Sequence, residues 1–251
     1  MDKAFLIDLD GTIVDTWVPL PGAIEFINFL HKNNIKYFIV TNRVSKTIEQ
    51  IETLLNEVSI NISKERIINP IIALNHFLIE NDIDKYFFVG HEDTKKYLRE
   101  SLEYVIPDYV VINDFEYIDL SYELFNKIFQ YINKGAKIIT TCYSNFYASN
   151  NEFKMDTGIF VKMYELLTNK KAEIIGKPSP IMFKMALNKL GINANDTIVI
   201  GDDGTSDILG GNELGMETIL VKTGVYRQGD EEKYKPTKVV DSIIDIIKKL
   251  K

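Results

Sequence analysis

The stretch Ala4-Phe5-Leu6-Ile7-Asp8-Leu9-Asp10-Gly11-Thr12 decides how the rest of the chain is read. Its first four residues are apolar without alternation, as in a strand covered on both faces. Two carboxylates at i and i+2 then leave the strand at its carboxyl end, where open α/β sheets place their ligands. Gly11 permits a tight turn whose amides can face an anion. Taken alone, Asp-Gly-Thr reads equally well as a polar turn with a helix cap.

Outward from this stretch, apolar runs alternate with helical periodicity. Ala23, Phe26, Ile27 and Leu30 follow helical spacing, Tyr37–Val40 reads as a second strand, and residues 45–58 read as a helix. Tyr86–Val89, Tyr109–Ile112 and residues 137–140 read as strands, with a helix over residues 121–134 between the last two. Ser179-Pro180 has the form of a helix start, cap then N1 proline. Residues 197–200 and 218–221 predict two more strands, and residues 239–250 a closing helix. Such alternation implies an α/β fold with right-handed connections in a parallel sheet.

Three further segments sit at predicted strand ends or helix starts. Thr41-Asn42-Arg43 offers a hydroxyl, an amide and a guanidinium to phosphate oxygens, although in isolation it reads first as an N-cap region. Lys177 in Gly176-Lys177-Pro178-Ser179-Pro180 precedes a helix start, a position that favours anions. In Gly201-Asp202-Asp203-Gly204-Thr205-Ser206-Asp207, three carboxylates within six residues repel one another unless a cation or proton resolves them. Asp202, at the strand end, is the expected metal ligand, and Asp207 also fits a helix cap.

The four segments together outline one chemistry. A carboxylate attacking a phosphate dianion meets like charge, at about 4 kcal/mol per unit pair at 4 Å and an effective dielectric near 20. A divalent cation bridging Asp8 and the phosphate offsets this, with help from Lys177. Mg²⁺ suits hard oxygen ligands. Three scattered histidines and one cysteine weigh against zinc. Asp10 is positioned to protonate the leaving alkoxide and then to take a proton from the attacking water.

Composition sets the outer limits. The 251 residues, 45% hydrophobic and 26% charged, describe a globular chain of one or two domains. A net charge of −7 weakens any case for nucleic acid as partner. No apolar run approaches the roughly 20 residues of a membrane span. The start at Met1-Asp2 lacks a signal-peptide layout, and the single Cys142 suits a reducing compartment, so a cytoplasmic location is expected.

With these motifs in hand, the sequence resembles the haloacid dehalogenase superfamily of phosphatases, in its NagD-like and 4-nitrophenylphosphatase-type branch. Asp8 to Thr12 match Asp-x-Asp-Gly-Thr, Thr41-Asn42 the branch's Thr-Asn pair, residues 176–180 its Gly-Lys-Pro-Ser-Pro, and residues 201–208 its Gly-Asp-x-x-x-Thr-Asp-Ile with Ser206 for Thr. The resemblance implies a Rossmann-like parallel-sheet core, residues 1–75 and 170–251, interrupted by a smaller α/β cap over residues 76–169. It implies Asp8 as nucleophile and metal ligand, and Asp10 as acid/base that also gives its backbone carbonyl to Mg²⁺. Gly11, Thr41, Asn42 and Lys177 would bind phosphate, Asp202 would ligate the metal, and Asp207, more than Asp203, would support it. A small phosphorylated metabolite is the implied partner, and the branch is compatible with a homodimer through the cap.

Two departures affect substrate contacts. Arg43 stands where relatives often carry a small polar residue. The cap loop Thr140-Thr141-Cys142-Tyr143-Ser144-Asn145 lacks the aspartate of the branch's Thr-Asn-x-Asp-like loop, leaving Tyr143 and Asn145 as candidate contacts. Phosphate release is the expected activity. A phosphomutase sharing the aspartyl-phosphate intermediate and a non-catalytic phosphate-binding or regulatory protein on the same fold are the alternatives.

Overall fold

The computed structural model describes residues 3–102, 106–115, 118–149 and 152–250, so Met1 and Asp2 lie outside the described residues. The chain forms two compact units. One comprises Met1–Thr41, Lys46–Asn69 and Lys177–Lys251, and the other Asn42–Ser45 and Pro70–Gly176.

The first unit opens with β1 (Ala4–Ile7), buried throughout. A short hairpin follows, β2 (Val14–Asp15) and β3 (Val18–Pro19), which the sequence did not announce. Its turn residues Thr16 and Trp17 both take positive φ, 47° and 67°, without the Asn-Gly or Asp-Gly pair that usually marks such a turn. Helix α1 (Ala23–Lys32) buries Ala23, Phe26, Ile27 and Leu30, the four residues picked out by periodicity. Next come β4 (Tyr37–Val40), α2 (Ile48–Glu57) and β5 (Ile67–Ile68). Helix α2 starts three residues later than its apolar pattern predicts, because Thr47 and Gln50 form a reciprocal capping box.

The second unit contains α3 (Pro70–Glu80), β6 (Tyr86–Val89), α4 (Glu92–Lys95), β7 (Tyr109–Ile112), α5 (Tyr122–Asn133), β8 (Lys137–Thr140), the antiparallel pair β9 (Phe146–Ser149) and β10 (Glu152–Met155), α6 (Thr157–Thr168) and β11 (Ala172–Ile174). Strands β6, β7, β8 and β11 make a four-stranded parallel sheet in the order β11-β8-β7-β6. Ile128 and Ile132 of α5 and Val161 and Tyr164 of α6 pack with Val110, Ile112 and Ile138 of that sheet.

The chain then returns to the first unit through α7 (Pro180–Leu190), β12 (Thr197–Gly201), a π-helical turn over Gly204–Ile208, α8 (Leu209–Glu213), β13 (Glu217–Val221), α9 (Asp230–Tyr234), β14 (Lys238–Val240) and α10 (Ile244–Leu250). The closing helix begins later than expected. Val239 and Val240 pair with Leu220 and Val221 as an edge strand, and residues 241–243 separate that strand from the helix.

The first unit's sheet is six-stranded and parallel, in the order β14-β13-β12-β1-β4-β5. On one face, Phe5, Ile7, Ile39, Ile198 and Ile200 pack with Phe26, Leu30, Ile51, Leu55 and Ile246 of the helices. Phe5 meets Phe26 edge to face, with ring centroids 5.9 Å apart. Four central strands, β13, β12, β1 and β4, therefore present their carboxyl ends side by side.

Candidate active site

Asp8 is the first residue beyond β1, and its N–H donates to the Ile200 carbonyl of the neighbouring β12 at 2.8 Å. Asp202 is the first residue beyond β12. Parallel strands about 4.8 Å apart thus deliver the two aspartates, 194 positions apart in sequence, to one place. Asp207 comes from the π-helical turn after Asp202, and Lys177 from the segment leading into α7.

Asp8, Asp202 and Asp207 are buried, and one carboxylate oxygen from each lies within 4.8 Å of the others. Lys177, 5% exposed, completes the cluster: its Nζ donates to Asp8 Oδ1 and to Asp207 Oδ1, both at 2.6 Å. Two carboxylates therefore share one ammonium, with the carboxylate of Asp202 beside them, in a place that water scarcely reaches.

The electrostatics follow from that count. Burial favours neutral Lys177, but the charges of Asp207 and Asp8 outweigh it and raise its pKa. Burial raises Asp8, with Lys177 opposing and Asp10 adding to the rise. Burial and the charge of Asp8 push Asp202 up to about 8, against hydrogen bonds from the Val225 amide and the Thr12 hydroxyl. Burial drives Asp207 well above the usual carboxylate range, against the pull of Lys177. A cluster whose ionisation is opposed by burial and by mutual repulsion, built of hard oxygen donors, suits a divalent cation such as Mg²⁺.

The other predicted residues of this unit have definite places. Asp10 accepts from Thr41 Oγ1 at 3.3 Å, which brings the end of β4 to the Asp8–Thr12 turn. Gly11 takes φ +84°, and a Cβ there would lie 2.3 Å from Asp202 Oδ2, so the turn can approach that carboxylate only as glycine. Asp203 faces its own turn, accepting from the Thr205 amide and hydroxyl at 2.8 and 2.7 Å and from the Ser206 hydroxyl at 2.8 Å. It, rather than Asp207, caps the π-helical turn.

Asn42 and Arg43 fall in the short stretch that belongs to the second unit. Tyr143 and Asn145 follow β8 in that unit. The Tyr143 hydroxyl donates to Glu165 Oε2 at 2.6 Å, and its pKa is pushed up to about 12 by burial and by that carboxylate. Lys162 Nζ donates to the Tyr143 carbonyl at 2.9 Å and to Asn145 Oδ1 at 2.5 Å. Sequence reasoning passed over Thr12, Thr223 and Val225, all tied to this site. Thr12 stood inside the quoted motif, and Thr223 and Val225 in a stretch that resembles the branch's usual continuation, but Val225 acts through its backbone, so its residue type named no role.

A buried acidic cluster with one lysine, at the carboxyl ends of a parallel sheet, defines the class of a phosphoryl-handling α/β protein. A haloacid dehalogenase-like hydrolase family model matches residues 5–101, and a HAD-hydrolase-like model matches residues 174–246. A mutant form of the thermostable NPPase of Geobacillus stearothermophilus is 31% identical, with 97% of each chain covered and a TM-score of 0.85. NagD of E. coli K-12 shares the fold at 24% identity and a TM-score of 0.86, again over 97% of each chain. Phospholysine phosphohistidine inorganic pyrophosphate phosphatase of Mus musculus is 28% identical over 97% of this chain and 90% of its own. The chain belongs to the haloacid dehalogenase-like hydrolases, in their NagD-like phosphatase branch, with the Rossmann-like fold of that family. Among the described residues, no helix is long and apolar enough to cross a membrane.

Proposed function

We propose that this protein hydrolyses small phosphate monoesters with Mg²⁺ as cofactor and Asp8 as nucleophile. The observation that carries the reading is the convergence of Asp8, Asp202, Asp207 and Lys177 in one buried cluster. Relatives named as phosphatases support the same class of reaction. Asp8 and Asp202 would hold Mg²⁺, with Asp207 in support. The bound ion would supply positive charge against which the carboxylate and the phosphate can approach.

A carboxylate oxygen of Asp8 attacks phosphorus, and the bond from phosphorus to the ester oxygen breaks. Asp10 gives its proton to the departing alkoxide. Asp10, now ionised, takes a proton from water, whose oxygen attacks the phosphorus of the aspartyl-phosphate. The bond from phosphorus to Asp8 breaks, and inorganic phosphate and the free carboxylate are restored. Lys177 holds Asp8 in place and neutralises charge gathered on the phosphoryl group. Thr41, tied to Asp10, orients that acid/base.

The test is phosphate release from 4-nitrophenyl phosphate with and without Mg²⁺. Asp8→Asn should abolish turnover while circular dichroism stays that of the parent. Near-full activity in that variant would remove Asp8 as nucleophile. Isomerisation of a sugar phosphate without phosphate release would favour the mutase reaction instead.

A further inference from the structure

Beyond β13 the chain runs through Thr223, Gly224 and Val225, and this strap touches both acidic loops of the site. The Val225 N–H donates to Asp202 Oδ2 at 2.7 Å, and the Thr223 hydroxyl donates to the Gly11 carbonyl at 2.5 Å. The Thr12 hydroxyl donates to the other Asp202 oxygen at 3.0 Å. Both oxygens of Asp202 are thus held, one by the strap and one by the Asp8–Thr12 turn.

Gly224 makes the approach sterically possible. Its φ is +52°, and a Cβ there would fall 2.0 Å from Asp202 Oδ2 and 2.6 Å from the Gly11 Cα. Val225 is 56% exposed, so little apolar burial of that residue anchors the segment. What fixes it to the site is the amide bond to Asp202 and the hydroxyl bond to Gly11. Groups that hold a ligating carboxylate in orientation commonly govern metal affinity by 10- to 100-fold.

We propose that Thr223 and Gly224 are positioning residues that set the affinity of the acidic cluster for its divalent cation, acting through the Gly11 carbonyl and the Asp202 carboxylate. The inference rests on the metal-dependent reading of this site and assigns part of its affinity to a segment outside the family motifs quoted for catalysis.

The experiment is calorimetric titration of Mg²⁺ into the full chain without ester, on the parent, Thr223→Val, Thr223→Ser and Gly224→Ala. Thr223→Val keeps the shape and removes the donor, and should weaken Mg²⁺ binding about tenfold. Thr223→Ser should restore the parent affinity, and Gly224→Ala should weaken binding at least as much as Thr223→Val. With Mg²⁺ saturating, the KM of Thr223→Val for 4-nitrophenyl phosphate should match the parent. Unaltered Mg²⁺ affinity in Thr223→Val, or a serine variant as weak as the valine one, overturns the positioning role alone. A parent chain that binds no Mg²⁺ overturns both this role and the metal-dependent reading beneath it.

Discussion

Lys177 is buried because two carboxylates bond to it, and each of those carboxylates stays in the interior partly because of Lys177. Removing one partner from such a group leaves the others uncompensated, which costs far more than the intact group contributes. Lys177→Ala should therefore lower kcat for 4-nitrophenyl phosphate by at least about 100-fold, the scale of losing one charged stabiliser of the transition state. Asp203→Ala should behave differently, since Asp203 spends its oxygens on Thr205 and Ser206. The expected cost is a cap's worth of stability, about 0.5–2 kcal/mol, with activity close to the parent. Steady-state kinetics and thermal unfolding of the two variants check the pair. A larger catalytic loss from Asp203→Ala than from Lys177→Ala would reverse the division of labour among these residues. The motifs led to Asp8, Asp202 and Lys177 because strand-end carboxylates and a lysine before a helix carry their chemistry in the side chain. They left Asp207 between a cap and a support of the metal, and only the packed turn separates its place from that of Asp203.

At the scale of elements, the strands built on apolar runs were legible almost residue for residue: Tyr37–Val40, Tyr86–Val89, Tyr109–Ile112 and Lys137–Thr140 all form as read. Parallel strands buried on both faces leave that signature, while two-residue strands such as β2, β3 and β5 are too short to leave any. Helix α6 escaped notice for another reason. Its apolar residues lie on more than one side, with Leu166 and Leu167 exposed and Val161 and Tyr164 buried, so no single face declares it. Its start also holds a glycine with a definite role. A Cβ on Gly158 would sit 2.3–2.4 Å from backbone atoms of Tyr143 and Ser144, which cannot yield as a flexible side chain would. Glycine to alanine in a helix ordinarily stabilises by about 1 kcal/mol. Here the clash should win, and Gly158→Ala should lower Tm as measured by circular dichroism. A rise in Tm would mean that the loop after β8 is free to move away from α6.

For the molecule as a whole, a net charge of −7 is compounded by a buried knot of carboxylates that resists full ionisation. An ordinary aspartate has a pKa near 3.9, whereas Asp202 is pushed up to about 8 and Asp8 and Asp207 are also raised. A carboxyl raised in the folded state binds its proton more tightly there than in the unfolded chain. Its contribution to stability is complete below about pH 4 and is lost as pH rises through the folded value. Without divalent cation, this cluster should therefore cost stability progressively between about pH 4 and 8. Mg²⁺ binds the ionised carboxylates and competes with those protons, so its stabilising effect should grow over the same window. At 100 times its dissociation constant, a ligand adds about 2.7 kcal/mol, equivalent to about 5–10 °C in Tm for a chain of this size. Thermal unfolding with EDTA or excess Mg²⁺ should show a small Mg²⁺-dependent rise at pH 5 and one of that full order at pH 8. A rise of equal size at both pH values would mean that protons and cation do not compete, and that the three carboxylates do not act as one binding site.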